Sequence, residues 1–169
     1  MQIPVMDIYH DSICDGVGMR SVLFVAGCPH KCEGCHNPES HLASNGKLME
    51  INDIFDELTS NALSDGITLS GGEPLLYAKQ LLPLVKRIKE ETLLDIWCWS
   101  GWTYEELIQN KYQREILKYI DVLVDGKFVL ALRDITENNM WRGSLNQRVL
   151  KLEDGKIVKE LYKNGYKNE

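Results

Sequence analysis

The sequence predicts an α/β fold in which parallel strands and intervening helices form a partial (βα) barrel. Three observations support this prediction. Short apolar runs rich in β-branched residues alternate with segments whose apolar residues recur at helical spacing. Four of these runs lead into polar turns that contain glycine, as strands of α/β proteins do. The strand count is also too low for the eight βα units of a closed barrel.

The first half of the chain shows the alternation most clearly. The run SVLFVAG, residues 21–27, is apolar, rich in β-formers and ends in glycine, which predicts a buried strand. The next apolar residues recur at helical spacing over 51–62, and SDG closes that helix. GITLSGGEP then predicts a short strand that runs into a glycine-rich turn. Strand, helix and strand in this order form one crossover unit.

The second half repeats the pattern. Pro74 suits the first turn of a helix, and Pro83 within the same amphipathic segment indicates a kink or a later helix start. LLDIWCW predicts a third strand, and Thr103 with Glu106 forms a capping-box pair at the next helix. YIDVLVDGKF predicts a fourth strand. The carboxyl ends of parallel strands meet at one edge, so the turns after all four strands should converge there.

The C-terminal part carries weaker signals. A fifth strand is predicted over 147–150, and a hairpin is predicted about EDG. The charged tail after about residue 151 is expected to be flexible. With 169 residues the chain is long enough for one full core, so residues 1–169 are expected to form a single domain.

Charge and hydropathy restrict the class of protein. The net charge of −6 argues against nucleic-acid binding, which requires a basic face. The N-terminus MQIPVMDIYHDSICDG lacks a basic start and an apolar core of signal-peptide length. The apolar stretch VLFVAG is too short to cross a bilayer. We therefore expect a cytoplasmic protein without a membrane partner.

Three cysteines form the most unusual motif of the sequence. Cys28, Cys32 and Cys35 give C-x-x-x-C-x-x-C directly after the first predicted strand. CEGCH within it is a c-type haem signature, but the absence of an export signal disfavours haem. Clustered cysteines in a reducing compartment more often bind metal than form disulfides. The motif therefore predicts a metal centre.

Three thiolates leave one ligand position open. Structural zinc usually takes four protein ligands and ordinary iron–sulfur clusters take four cysteines. A zinc site completed by a histidine is one hypothesis, and a cubane cluster with one open iron is the other. The candidates for a fourth protein ligand are Cys14, Cys98, His30, His36 and His41.

The turn SGGEP favours the open iron. Gly71 and Gly72 lack side chains, so their backbone can approach a ligand closely. Glu73 can receive an ammonium group. A plain strand-to-helix turn would also suit these residues. Beside an open iron, however, they form a pocket suited to the amine of an amino acid.

CPHKCEGC followed by SGGEP resembles the radical S-adenosylmethionine superfamily. The resemblance implies that Cys28, Cys32 and Cys35 bind a [4Fe-4S] cluster. It also implies that S-adenosylmethionine chelates the fourth iron through its amine and carboxylate, with residues 70–73 (Ser70, Gly71, Gly72 and Glu73) on the cofactor side. The superfamily often has an aromatic residue before the last cysteine, beside the adenine. Here that residue is Gly34, so His36 or the WCWSGW segment would cover the adenine.

CDGVGMRSVLFVAGC, LVDGKFV and WRGSLNQR are similar to the activating proteins of anaerobic ribonucleoside-triphosphate reductases. The similarity spans about residues 15–148. It implies that Asp125 and Lys127 line the cofactor site, although Asp-Gly is also a strong hairpin signal. Arg20 would neutralise a carboxylate near the site or form a surface salt bridge. Arg142 and Asn146 would shape the end of the site at which the partner or the substrate binds.

The resemblance implies an activase of a glycyl-radical enzyme. The cluster would reduce and cleave S-adenosylmethionine, and the resulting radical would abstract hydrogen from a glycine of the reductase. An electron donor such as flavodoxin would reduce the cluster. Three alternatives stay open at this point. They are an activase of another glycyl-radical enzyme such as pyruvate formate-lyase, a radical enzyme acting on a small molecule, and a zinc-binding module without catalysis.

Overall fold

A computed structural model describes residues 1–136 and 139–163 of the chain. These residues form one eight-stranded sheet, whose order is β3-β1-β2-β4-β5-β6-β7-β8. The strands are β1 (Gln2–Ser12), β2 (Arg20–Val25), β3 (Lys47–Glu50), β4 (Gly66–Gly71), β5 (Asp95–Ser100), β6 (Val122–Asp125), β7 (Arg148–Glu153) and β8 (Lys156–Leu161). The helices are α1 (Ile51–Thr59), α2 (Ala78–Glu91), α3 (Tyr104–Leu107) and α4 (Lys111–Ile116).

The centre of the sheet is parallel, as the sequence predicts. Strands β2, β4, β5 and β6 are adjacent and parallel. The sheet as a whole is mixed, because β1 and β3 add antiparallel pairings on one side and β7 and β8 add them on the other. The predicted fifth strand is therefore present as β7, but it runs antiparallel to β6. The hairpin about EDG is confirmed as the β7–β8 connection.

The predicted elements of the central crossovers are confirmed within a few residues. Helix α2 begins at Ala78, after a 3-10 turn over Pro74–Tyr77, so Pro83 lies inside it. Thr103 and Glu106 form the expected capping box at α3. Strands β1 and β3 were not predicted. Strand β1 contains a proline and two aspartates, so its propensity for strand is weak, and pairing with β2 and β3 stabilises it.

The helices cover one face of the sheet. Alternate residues of a strand point to opposite faces, and the buried clusters follow this rule. Leu69, Ile96 and Leu123 pack with the apolar stripes of α1 and α2 in the larger core. Trp97 and Val124 belong to a separate, smaller cluster on the other face. Within the described ranges, no helix combines the length and the apolar character that crossing a membrane requires.

Candidate active site

A cleft at the carboxyl edge of the parallel strands brings together all four predicted turns. It encloses about 640 Å³ including its open mouth. The cysteine loop after β2 contributes the three clustered cysteines, and the turns after β4, β5 and β6 contribute glycines. The lining residues are Cys28, His30, Cys32, Cys35, His36, Ser40, His41, Ser70, Gly71, Gly72, Trp99, Ser100, Gly101, Gly126, Phe128 and Gln147. The predicted convergence is thus confirmed.

The cysteine loop is fixed to the neighbouring backbone at its base. The amide of Cys28 donates to the carbonyl of His41 at 3.2 Å, and the amide of Gly27 donates to Ser40 at 2.7 Å. The amide of Glu73 donates to the carbonyl of Gly27 at 2.9 Å, which joins the loop to the GGEP turn. These bonds hold the base of the loop directly against the end of β4.

The three loop cysteines are free and partly exposed. Burial raises the pKa of the Cys28 thiol, and the nearby charge of Glu73 raises it further, against hydrogen bonds from the backbone of His30 and Lys31. Among the described residues, no three His, Cys, Asp or Glu side chains are close enough to hold a single metal ion. The three thiols therefore share a cleft but do not surround one ion position.

The other two cysteines lie elsewhere. Cys98 is fully buried in the helix-facing core, and this burial raises the pKa of its thiol well above the ordinary value. Cys14 is exposed and lines a different depression beside Tyr9 and Phe24. Of the candidate fourth ligands, only the histidines His30, His36 and His41 line the cleft.

The two glycines of the GGEP turn also serve the packing of the protein backbone. Gly71 has a φ of +103°, and a Cβ there would lie 2.4 Å from the amide nitrogen of Val25. A Cβ on Gly72 would lie 2.4 Å from the carbonyl oxygen of Gly27. Glycine is therefore required here for the contact between β4 and β2 as well as for the open surface of the cleft.

Glu73 does not line the cleft. Its side chain is fully buried, and its carboxylate accepts hydrogen bonds from the Nε2 of His30 at 2.8 Å and the amide of Gly101 at 2.7 Å. Its other oxygen accepts from the amide of Leu75 at 3.0 Å. The carboxylate that was predicted to receive an ammonium group is thus directed toward groups of the protein.

Two comparisons identify the relatives of this chain. Residues 14–150 match the family model described as a 4Fe-4S single cluster domain. An anaerobic ribonucleoside-triphosphate reductase-activating protein of Haemophilus influenzae is 43% identical over 151 residues, which are 84% of this chain and 94% of the relative. The chain belongs to the anaerobic ribonucleoside-triphosphate reductase-activating protein family.

Further relatives with the same name agree with this membership. The protein of Escherichia coli K12 is 42% identical over 148 residues, covering 83% of this chain and 94% of the relative. The protein of Enterobacteria phage T4 is 40% identical over 153 residues, covering 88% and 94%. The resemblance that VDGKF and WRGSLNQR indicated is confirmed.

The segment Asp125-Gly126-Lys127, a D-x-K element, lies beside the cleft. Asp125 is 1% exposed, and its carboxylate accepts hydrogen bonds from the guanidinium of Arg148 and the amide of Tyr104. Lys127 is exposed. Neither is among the lining residues, whereas Gly126 between them is. The element therefore presents its backbone to the cleft.

The WRGSLNQR segment supports that same turn. The Nε2 of Gln147 donates to the carbonyl of Gly126 at 2.7 Å, and the Nδ2 of Asn146 donates to the carbonyl of Lys127 at 2.8 Å. Gln147, Ser40 and Phe128 line the cleft and were not predicted as site residues. The sequence signal that could have identified Gln147 is the motif WRGSLNQR, which contains it.

Some of the residues expected near the adenine line the cleft, and others do not. His36 lines the cleft, and so does Trp99 of the WCWSGW segment. Phe128, which was not predicted, lines it as well. Gly34 is exposed and is not a lining residue. A Cβ on Gly34 would lie 2.8 Å from Cδ1 of Leu130, so Leu130 occupies the place beside it.

Arg20 is far from the role that the sequence suggested. It is fully buried at the amino end of β2, whereas the cysteine loop follows the carboxyl end. Its guanidinium pairs with Asp95 and donates to Thr68 Oγ1 at 2.7 Å and to the carbonyl of Ile67 at 2.8 Å. Arg20 thus lies at the end of β2 opposite the cleft. The expected salt bridge is present, but the guanidinium is buried and only its partner Asp95 is partly exposed.

Proposed function

We propose that this chain is a radical S-adenosylmethionine enzyme that generates a glycyl radical on an anaerobic ribonucleoside-triphosphate reductase. The observation that carries the proposal is the cleft in which Cys28, Cys32 and Cys35 face the backbone of the GGEP turn. The name shared by relatives about 42% identical supports the reductase as the protein substrate. The central parallel strands would form the partial barrel typical of this superfamily.

The residues present fit both implied groups. Three cysteines on one loop, without a fourth in the cleft, match a [4Fe-4S] cluster with one open iron. The Nε2 of His41 is buried and has no hydrogen-bond partner among the described residues, and His41 lines the same cleft. An unpaired buried polar atom is costly, so it favours a polar ligand there.

Each part of the cleft has a separate task in this proposal. The three cysteines hold the cluster, and the backbone of Ser70, Gly71 and Gly72 receives the amino-acid end of S-adenosylmethionine. When bound, the reduced cluster supplies one electron to cleave S-adenosylmethionine into methionine and a 5′-deoxyadenosyl radical that abstracts hydrogen from the target glycine. The protein provides placement and excludes competing reactions.

The aromatic and histidine side chains of the cleft suit the nucleoside end. Trp99, Phe128 and His36 are the candidates to contact the adenine. Asp125 acts through its hydrogen bonds, which set the position of Gly126 at the cleft wall. Lys127 is the candidate to contact the carboxylate of the cofactor. We further propose a cytoplasmic protein whose cluster is reduced by a donor such as flavodoxin, and which binds neither membrane nor nucleic acid.

Electron paramagnetic resonance tests the proposal. The anaerobically reconstituted and reduced protein should show a [4Fe-4S]⁺ signal that changes when S-adenosylmethionine is added. Addition of the reductase should then produce a glycyl-radical doublet. A radical on pyruvate formate-lyase alone would assign the chain to another activase, and turnover without a protein partner would indicate a small-molecule enzyme. Colourless protein with one zinc and no iron would overturn the proposal.

A further inference from the structure

His30 stands between two of the clustered cysteines at the wall of the cleft, yet its side chain is largely buried. The imidazole is 5% exposed, and its Nε2 lies 2.8 Å from a carboxylate oxygen of Glu73, which is fully buried. Loops run over the protein surface, so this degree of burial is unusual for a loop side chain. This pair instead joins the cysteine loop to the GGEP turn through side chains.

The Glu73 carboxylate collects hydrogen bonds from three segments. His30 belongs to the loop after β2, Leu75 to the turn after β4, and Gly101 to the turn after β5. A buried carboxylate is costly unless its oxygens are hydrogen-bonded. The carboxylate is therefore most stable when all three segments keep their present positions.

Packing places the imidazole as firmly as its hydrogen bond does. A Cβ on Gly101 would lie 2.3 Å from Cδ2 of His30, so only glycine leaves room for the ring there. The ring also meets Trp102 edge-on, with centroids 4.8 Å apart. The contact with Gly101, the contact with Trp102 and the hydrogen bond at Nε2 together hold the His30 ring in one orientation.

We propose that His30 is a positioning residue, which fixes the cysteine loop to the GGEP turn through Glu73. The distance and orientation between the cluster ligands and the cofactor-binding backbone are thereby fixed. Glu73 acts through His30 and Gly101 rather than by direct contact with a ligand. The part of this inference that concerns S-adenosylmethionine rests on the proposed function. The part that concerns the loop does not.

Two substitutions at His30, whose new side chains differ by one methylene group, distinguish the effect of the hydrogen bond from the effect of any polar side chain at this position. The amide nitrogen of glutamine can take the place of Nε2, so His30→Gln should keep the bond to Glu73. Asparagine is too short to reach, so His30→Asn should lose it. His10→Asn is the matched control. His10 also pairs with a glutamate, Glu57, at 3.1 Å, but that pair lies outside the cleft and is partly exposed.

The first measurement uses the cluster-free protein and needs no cofactor. Cys28 is half-buried in a loop that His30 holds, so its alkylation by iodoacetamide should be slow. In His30→Asn we expect labelling of Cys28, followed by mass spectrometry, to be about tenfold faster, because loss of one hydrogen bond to a charged group raises the population of the open loop by about that factor. His30→Gln and His10→Asn should label at the rate of the unaltered protein.

The second measurement uses the reconstituted protein. His30→Asn keeps all three cysteines, so its iron content should stay close to that of the unaltered chain. Its affinity for S-adenosylmethionine in equilibrium dialysis should fall about tenfold, with a smaller change of the paramagnetic signal on addition of the cofactor. His30→Gln should recover both values to within about threefold.

The outcomes separate the two proposals. Equal labelling and equal affinity in His30→Asn and the unaltered protein would overturn the positioning role. A second combination is that the unaltered protein binds neither iron nor S-adenosylmethionine while His30→Asn still labels faster. That combination would support the positioning role of His30 and overturn the proposed function. If His30→Asn does not fold, His30→Gln decides: near-native values support the role, and a tenfold loss overturns it.

Discussion

Cysteines of the same chain have opposite environments in this structure. Cys28, Cys32 and Cys35 are partly exposed in one cleft, whereas Cys98 is buried among the apolar residues of the helix-facing core. The first three can reach a ligand in solution, and the last cannot without opening the core. Position in the fold therefore distinguishes the candidate ligands from a packing residue of identical chemistry.

Alanine at Cys28, Cys32 or Cys35 should abolish cluster assembly, because each change removes a thiolate ligand. Iron analysis after anaerobic reconstitution checks this outcome. Cys98→Ala is the matched control, and we expect it to retain iron while losing about 1–2 kcal/mol of stability through a lost buried contact. Full iron in a loop variant, or an iron-free Cys98→Ala protein, would contradict the ligand assignment.

Arg20 joins the amino ends of three strands. Its replacement by alanine would leave the carbonyls of Val17 and Ile67 without their buried donor. We expect Arg20→Ala to lower the free energy of unfolding by about 3 kcal/mol, measured by urea denaturation. Asp95→Asn should cost less than Arg20→Ala, because the amide oxygen of asparagine can still accept a hydrogen bond from the buried guanidinium, which loses only its countercharge. Equal losses in both variants would contradict this account.

At the scale of elements, the join between β4 and the following turn depends on glycine. Gly71→Ala adds a Cβ that would lie 2.4 Å from the Val25 backbone, at a φ of +103°. Gly126→Ala is the control, since its φ is +99° but the nearest atom to its Cβ would be 3.8 Å away. Backbone strain alone costs about 1–3 kcal/mol, so Gly71→Ala should destabilise by more than Gly126→Ala. Equal denaturation midpoints would show that the steric contact is relieved.

Arg148 connects strand β7 to the end of β6 and to helix α3. Hydrogen bonds from its guanidinium hold the pKa of the Glu105 carboxyl below its ordinary value, and bonds to Asp125 and Glu105 raise the pKa of Arg148 itself. Since the folded pKa of Glu105 is depressed, its contribution to stability is present above the unfolded pKa. That contribution is lost as the pH falls through the folded pKa.

Glu105→Gln should therefore weaken the dependence of stability on pH below about pH 4.5. The Glu105 side chain is 61% exposed, so solvent screening limits the effect to about 0.5 kcal/mol. Urea unfolding between pH 3 and pH 7 measures it. Glu90→Gln, an exposed position on α2, serves as the control. A pH profile unchanged by Glu105→Gln would contradict the depressed pKa.

At the scale of the molecule, the core and the cysteine loop are separate. The larger apolar cluster draws on β1, the parallel strands and the helices, and no residue of 28–41 belongs to it. This differs from small zinc domains, in which metal binding supplies the folding energy. The sheet and its helices should therefore form whether or not the loop holds a cluster.

Removal of iron by a chelator should leave the far-UV circular dichroism spectrum and a cooperative thermal transition. We expect a lower midpoint by a few degrees, because only the loop loses its ligand. Leu81→Ala, in the core, should instead cost about 2–5 kcal/mol in the cluster-free chain. Unfolding on loss of iron would show that the cluster supports the sheet.

The sequence alone determined the alternation of strands and helices, the loop of three cysteines and the convergence of four turns at one edge. These follow from local patterns: apolar periodicity, glycine after strands, and the fixed geometry of parallel crossovers. The antiparallel strands β1 and β3 were missed, because pairing with distant segments stabilises them more than their own composition does.

The tertiary structure decided which side chains line the cleft. Glu73 follows β4 and Asp125 is the last residue of β6, yet both carboxylates turn inward to donors from other segments. Arg20 likewise enters the sheet to satisfy carbonyl groups far along the chain. A buried charge must find its partners wherever the fold brings them, and each of these three side chains has partners between 21 and 75 residues away. Spacing along the sequence therefore placed the turns, and hydrogen bonds between distant segments set the direction of each charged side chain.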